Sequence, residues 1–256
     1  RAQGTTLGAD NGLGVATMLA IMESTNIPHP PLELLFTIDE ETGMTGALEL
    51  EQGWMKGEIL LNLDTEDDRE IGIGCAGGID LGFSGQLATN APTAAHGLVV
   101  EVKGGSGGHS GMDIHKGIAN ANKLLVRVLR EMLLSDGGGK AIELAAMDGG
   151  GLRNAIPREA RATIASSQTA ADWSQQLAGL VSDIQAEYKT TDPSLSVSFH
   201  TADAPEQVLS TSAAGTLLSA LDFCPNGIDR MSPDIEGLVQ TSNNVARISL
   251  AAGAAE

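Results

Sequence analysis

Residues 117–134, GIANANKLLVRVLREMLL, carry the clearest helical pattern in the chain. Ile118, Ala121, Leu125, Val128 and Met132 recur at alternating spacings of three and four residues, which puts them on one face of an α-helix. A second helical stripe follows from Trp173 to Tyr188, and the remaining apolar or alternating runs favour strands at 98–102, 142–146, 160–164 and 195–199. The order is β-α-β-β-α-β, which predicts an α+β domain with a four-stranded antiparallel sheet and two helices on one face.

The N-terminal quarter of the chain has a different pattern of predicted helices and strands. Residues 10–24 open with Asp-Asn-Gly, which suits a helix start, and are apolar on nearly every side, which predicts a buried helix. Residues 32–38 and 58–63 are apolar runs typical of buried parallel strands, and residues 43–53 between them favour a shorter helix. We therefore predict an α/β layer over residues 1–78 and a second domain over 79–256.

Composition narrows the class of function. The 256 residues contain 33 acidic and 15 basic side chains, a net charge of −18, which disfavours binding to nucleic acid and to anionic membranes. We see no apolar run of about 18 residues that would span a membrane. Cys75 and Cys224 lie far apart, so we predict no disulfide framework and a reducing, cytoplasmic location.

Acidic residues stand where the predicted strands end. Glu40 and Glu41 follow the strand 32–38, Asp64 closes the strand 58–63, and Asp10 lies in a glycine-rich turn before the first helix. Ligands of open α/β sheets bind outside the carboxyl ends of the strands, so these side chains should converge. Grouped carboxylates repel one another unless a cation lies between them, which predicts a divalent metal site. Helix capping is the competing interpretation for each acid taken singly.

Two further residues stand in unusual local sequences. His109 lies in the glycine-rich stretch GGSGGHSG at 104–111, where nothing apolar surrounds it. A substrate-facing hydrogen-bond donor is one interpretation, and an incidental His in a flexible surface loop is the other. Asn154 lies in the turn GGGLRNAIPRE at 149–159, where an Asn is ordinarily structural.

Six stretches together resemble one family. The chain is similar to the dinuclear zinc aminopeptidase and carboxypeptidase superfamily, and within it to the aminoacyl-histidine dipeptidases, also called cytosolic non-specific dipeptidases or peptidase D. The stretches cover nearly the whole chain: TLGADNGLGVA at 6–16, LLFTIDEETGMTGA at 34–47, LNLDTEDDREIGIGCAGG at 61–78, GGHSGMDIHKGIANANK at 107–123, GGLRNAIPRE at 150–159 and GLVQTSNNVA at 237–246.

The resemblance implies a role for each candidate residue. Asp10 is implied as the carboxylate that bridges two zinc ions, with Glu41 as a ligand of one ion and Asp64 of the other. Glu40 is implied as the general base. His109 and Asn154 are implied as substrate-binding residues of a lid domain, which is often also a dimerisation domain. The implied activity is hydrolysis of dipeptides, of the Xaa-His type or with broad specificity, with zinc, cobalt or manganese as the metal.

The chain also departs from the family pattern. The family has a His-x-Asp element upstream of the bridging Asp and a His ligand near its C-terminus, and this chain contains neither. We therefore expect an internal piece of a longer dipeptidase that binds metal poorly and is inactive alone. Two alternatives stay open: a non-catalytic module that binds or dimerises through its lid, and a related aminoacylase or tripeptidase.

Overall fold

The computed structural model describes residues 3, 11–40, 43–64, 69, 71, 72, 74–135, 137 and 141–256. The chain divides into two compact units, residues 1–75 (unit 1) and residues 76–256 (unit 2). Both Cys75 and Cys224 are free thiols, as the sequence predicts. Within the residues described, we find no helix with the length and apolar character needed to cross a membrane.

Unit 1 contains two helices in its described part, α1 (Gly12–Glu23) and the single turn α2 (Thr45–Leu48). The predicted helix start is confirmed, because the side chain of Asn11 accepts a hydrogen bond from Gly14 N at 2.7 Å and so caps α1. The Glu33 carboxylate accepts hydrogen bonds from the main-chain N–H groups of Lys56 and Gly57, each at 2.7 Å. These bonds lower the pKa of Glu33 and join the two apolar runs of unit 1.

Three expectations for unit 1 are wrong in detail. Residues 32–38 and 58–63 belong to no strand, and the helix expected at 43–53 shortens to α2. The helix α1 is not buried, since Gly14 is its one buried residue. The physical reason is shared: a strand or an apolar helix needs a neighbouring layer, and the described residues of unit 1 provide none. Accordingly Ile59 and Leu61 are about four-fifths exposed.

Unit 2 carries the regular secondary structure. Its helices are α3 (Ala121–Leu134), α4 (Ala170–Gln176), α5 (Ala178–Glu187) and α6 (Thr211–Phe223), with a 3₁₀ turn at Ile114–Lys116. Its strands are β1 (Gly85–Gln86), β2 (Thr89–Asn90), β3 (His96–Lys103), β4 (Gly108–His109), β5 (Ile142–Gly150), β6 (Ala155–Ile156), β7 (Ala160–Ser166), β8 (Ser196–Ala202), β9 (Val208–Leu209), β10 (Gly227–Met231), β11 (Val239–Asn243), β12 (Arg247–Ala251) and β13 (Ala254–Ala255).

The predicted antiparallel sheet is confirmed and proves larger than expected. The four strands read from the sequence pair in the order β5-β7-β3-β8, and each pair is antiparallel. Three short strands extend this sheet beyond β5, so that its full order is β1-β13-β12-β5-β7-β3-β8. Separate two-stranded pairs join β10 to β11, β2 to β9 and β4 to β6. The β4–β6 pair matters below because it carries His109.

The core of unit 2 lies between the sheet and its helices. The predicted face of α3 is confirmed, with Leu125, Val128 and Met132 fully buried against strand residues of the sheet. The helix starts three residues later than its periodicity suggests, because the Asn120 side chain accepts from Lys123 N and fixes the N-cap there. The second predicted helix is divided at Leu177, whose backbone leaves helical geometry between α4 and α5.

We predict that Leu125→Ala lowers the free energy of unfolding of unit 2 by about 2–5 kcal/mol, because it removes buried methyl groups and leaves a cavity. Leu134→Ala is the matched control in the same helix, since Leu134 is 61% exposed, and should cost under about 1 kcal/mol. Urea unfolding followed by the fluorescence of the buried Trp173 measures both. Equal effects of the two variants would contradict the assignment of this helix face.

Candidate functional site

The N-terminus of α1 lies beside Asp64. The Asn11 amide donates to Leu63 O at 2.7 Å and contacts Asp64 Oδ1 at 3.4 Å, while its oxygen caps α1. One side chain therefore ties the start of the helix to the end of the apolar run 58–63. Asp10 precedes Asn11 directly in sequence. Asp10 itself lies outside the described residues, so its place relative to Asp64 stays a prediction.

A tight turn presents Glu40. Asp39 has a φ of 63°, a left-handed conformation that non-glycine residues seldom adopt. The turn is held closed because the Thr45 hydroxyl donates to the Asp39 carboxylate and Met44 N donates to Asp39 O at 2.6 Å. Gly46 is required, since a Cβ there would lie 2.7 Å from Ile38 N. Glu40 follows on the surface of this turn, fully available to solvent and to ligands.

Two of the four predicted acids fall on described residues. Glu40 and Asp64 are exposed, whereas Asp10 and Glu41 lie outside the part of the chain that the structure describes. Within that part, no group of three or more His, Cys, Asp or Glu side chains is arranged to hold a metal ion. Asp64, which is exposed, offers carboxylate oxygens of the hard type that divalent cations accept as ligands.

His109 has a defined ring orientation in unit 2. It lies on β4, and its main chain pairs with Ala155 of β6. Its ring Nδ1 accepts hydrogen bonds from Gly111 N at 3.1 Å and Met112 N at 3.3 Å. A ring nitrogen that accepts carries no proton, so in the neutral ring the proton is on Nε2. His109 therefore offers an N–H donor from an exposed position.

Asn154 lies next to this donor. Its amide Nδ2 and His109 Nε2 are 3.5 Å apart, and Asn154 O accepts from Ser110 N at 2.7 Å. The structure therefore brings together the two residues that the sequence suggested for substrate binding in this unit. Two neighbouring N–H donors suit a carbonyl or carboxylate oxygen placed between them.

Hydrogen bonds from other parts of unit 2 hold the glycine-rich loop before His109. Buried Asp192 accepts from Ser106 N at 2.7 Å and from Ala119 N at 2.9 Å, so one carboxylate joins this loop to the start of α3. Arg158 donates to Ser106 O at 3.0 Å, and a Cβ on Gly107 would lie 2.5 Å from the Arg158 side chain. Specific hydrogen bonds therefore hold this loop in place, and the substrate-binding role of His109 stays a prediction.

The sequence did not predict two residues that position His109 and Asn154, namely Asn244 and Asp113. Asn244 donates to Ala155 O at 2.8 Å and Asn120 donates to Asn244 Oδ1 at 3.1 Å, so the N-cap of α3 is linked to β6. Asp113 accepts from Lys116 Nζ and from His109 N, and these two bonds hold the pKa of its carboxyl below the usual value. The only signal for either was membership of a family stretch, because spacing alone does not reveal where an Asn or Asp side chain points.

Comparison with known proteins identifies the relatives of the chain. Residues 97–194 match the family described as the peptidase dimerisation domain. Over 254 residues, 98% of the chain, it is 40% identical to the cytosol non-specific dipeptidase of Escherichia coli strain K12. A crystal structure of the aminoacylhistidine dipeptidase from Vibrio alginolyticus matches 99% of the chain with 41% identity and a TM-score of 0.73. The chain spans 51% of the length of each of these two relatives.

A shorter similarity is also present. The uncharacterized protein YqjE of Bacillus subtilis strain 168 is 29% identical over 123 residues, which is 46% of this chain and 29% of that protein.

We predict that Asn11→Ala increases hydrogen exchange at Gly14 N by about twofold to thirtyfold, the factor that an N-cap side chain contributes. Asn11→Asp is the matched control, because it keeps the oxygen acceptor for Gly14 but lacks the donor for Leu63 O. It should therefore retain protection at Gly14, while the amide resonance of Asp64 shifts in both variants. Unchanged exchange in Asn11→Ala would show that this side chain does not anchor α1.

Proposed function

We propose that this chain, which is 40% identical over 98% of its length to the cytosol non-specific dipeptidase of Escherichia coli and contains a match to the peptidase dimerisation domain, serves metal-dependent hydrolysis of dipeptides. The substrate class is small peptides, of the Xaa-His type or broader. The observation that carries the proposal is the contact of the Asn11 amide with Leu63 O and Asp64, because it supports the convergence of residues 10 and 64.

The carboxylates of Asp10, Glu41 and Asp64 are the residues that would hold zinc, and Asp10 would be the ligand common to the two ions. Bound zinc polarises a carbonyl group and makes a water molecule more acidic. The role of Glu40 follows from its position, since an exposed carboxylate beside the proposed ligands can accept a proton from water and pass it on. The hydrogen bonds of Asp39 fix the main chain immediately before Glu40.

His109 and Asn154 are proposed to bind the substrate through its oxygen atoms. The Nε2–H group of His109 and the amide of Asn154 are donors 3.5 Å apart, which fits a carbonyl oxygen, an oxyanion or a terminal carboxylate. Neither residue needs to change its protonation state for this role. Their contribution is therefore to orientation and charge stabilisation, whereas proton transfer belongs to Glu40.

The number of zinc ligands proposed in this chain sets how tightly it can bind the metal. Zinc ions in catalytic sites take about three protein ligands each, and three carboxylates shared between two ions fall short of that number. We therefore propose that the chain alone binds zinc weakly and hydrolyses dipeptides at background rates.

We predict that a hybrid enzyme, in which this chain replaces the matched half of the E. coli dipeptidase, hydrolyses Xaa-His dipeptides with added zinc. In that hybrid Glu40→Gln should lower kcat by about 10²–10⁴-fold, because it removes the general base but keeps the side-chain shape. Steady-state kinetics with dipeptides, a tripeptide and an N-acyl amino acid also distinguish a dipeptidase from a tripeptidase or an aminoacylase.

Glu58→Gln is the control for that experiment, since Glu58 is an exposed acid of the same unit with no proposed role. It should leave kcat within about twofold, an ordinary result for a surface substitution. The chain by itself, assayed in parallel, should show no hydrolysis above background. Full activity of the Glu40→Gln hybrid would disprove the general-base assignment.

We further propose that the chain forms a homodimer through unit 2. The match to a peptidase dimerisation domain covers three strands of the seven-stranded sheet, β3, β5 and β7, and β8, which follows the matched residues, lies at one end of the strand order. The outer edge of such a strand presents main-chain N–H and C=O groups that can pair with a second copy.

We predict that light scattering gives a mass about twice the 26.3 kDa of one chain. Ser198→Lys on β8 should shift the mass towards that of one chain, because a lysine on an edge strand opposes pairing. Ser249→Lys places the same charge on β12, away from that edge, and should leave the mass unchanged. A single-chain mass for the unsubstituted protein would contradict the proposed dimer.

A further inference from the structure

The turn that follows His109 is held by one carboxylate. Asp113 Oδ2 accepts from His109 N at 2.7 Å, and Asp113 Oδ1 accepts from Lys116 Nζ at 2.6 Å. The main chain closes the same turn, because Asp113 N donates to His109 O at 2.7 Å. We call residues 109–116 the histidine turn.

The direction of the Asp113 side chain distinguishes it from an ordinary helix cap. Asp113 immediately precedes the 3₁₀ turn Ile114–Lys116, a position where an Asp usually caps the turn that follows. Its side chain makes no capping hydrogen bond there and reaches back to His109 N instead. It also lies tightly against the backbone before the histidine, since a Cβ on Gly108 would be 2.7 Å from Asp113 Oδ2.

The histidine turn determines what the ring can do. Closing it aims Gly111 N and Met112 N at ring Nδ1. The two N–H donors at 3.1 and 3.3 Å hold Nδ1 as an acceptor, so the neutral ring keeps its proton on Nε2. The longer 3.5 Å contact between Nε2 and the Asn154 amide Nδ2 is then a contact between two donors and not a hydrogen bond. In the other tautomer, Nδ1–H would face two N–H groups and Nε2 would be unable to donate.

We propose that Asp113 and Lys116 are positioning residues for His109: by closing the histidine turn they fix the ring in the Nε2–H tautomer, as a donor to an oxygen of the substrate. The identity of that oxygen rests on the proposed function, whereas the tautomer does not. An exposed Asp–Lys pair alone contributes little to stability. The bond from His109 N to a charged carboxylate is the stronger element.

Nitrogen NMR of the ¹⁵N-labelled 256-residue chain at pH 8 tests this directly, with His109→Gln assigning the ring signals. In the unsubstituted chain Nδ1 of His109 should resonate as an unprotonated nitrogen. In Asp113→Ala the signal should move towards the average of two tautomers, and hydrogen exchange at Gly111 N and Met112 N should increase by about tenfold to a hundredfold, the range for a hydrogen bond to a charged group.

Two gentler variants keep the test decisive if Asp113→Ala does not fold. Asp113→Asn retains an oxygen that can accept from His109 N and should restore most of the protection. Lys116→Met should give a smaller change than Asp113→Ala, and Lys103→Met, which removes the ion pair with Glu101 elsewhere in unit 2, should give none.

Wild-type ring signals and exchange rates in Lys116→Met, and in any folded Asp113→Ala protein, would overturn the proposal. The proposed function fails separately. If the tautomer responds as expected but His109→Gln leaves kcat and KM of the hybrid enzyme unchanged, the turn positions the ring and the ring does not serve the substrate.

Discussion

The packing of α3 against the antiparallel sheet is the interaction on which unit 2 depends. Leu125, Val128 and Met132 are completely buried there, and each such side chain contributes about 1.5–3 kcal/mol through its removal from water. The same helix begins at Asn120, whose amide contacts Asn244, and Asn244 in turn bonds to β6 beside β4. Each of these polar contacts is weak. Because the apolar core already fixes α3 and the sheet, however, the contacts are enough to determine the position of β4 and of the His109 ring.

Unit 1 is organised differently. Its described residues contain no comparable core, and its order comes from local polar contacts: the Asn11 amide at Leu63 O and Asp64, the Glu33 carboxylate at two main-chain N–H groups, and the closed turn at Asp39. Each of these contacts involves an acidic residue or lies beside one.

Sequence periodicity predicted the helices and strands whose apolar faces recur at regular spacing along the chain. The buried face of α3 from Ala121 onwards and the four strands β5, β7, β3 and β8 follow from periodicities of 3.6 and 2, and the structure contains each of them. The strands β12, β13 and β1 were missed because they are short and exist through pairing with residues far along the chain. The prediction of strands at 32–38 and 58–63 was wrong, because an apolar segment forms a strand only when it pairs with a neighbouring strand. The same holds for the candidate site. The glycine-rich sequence around His109 singled out this residue, whereas only the structure shows that the Asp113 side chain turns back to bond to it.

The central claim is that the acids of unit 1 gather around a divalent cation. Anomalous diffraction at the zinc absorption edge, from crystals of this chain soaked at high zinc concentration, tests it most directly. The account predicts a peak about 2.0–2.2 Å from carboxylate oxygens of both Asp10 and Asp64. Side chains of Asp10 and Asp64 too far apart to share a metal cluster, or a peak bound only elsewhere in the chain, would contradict it.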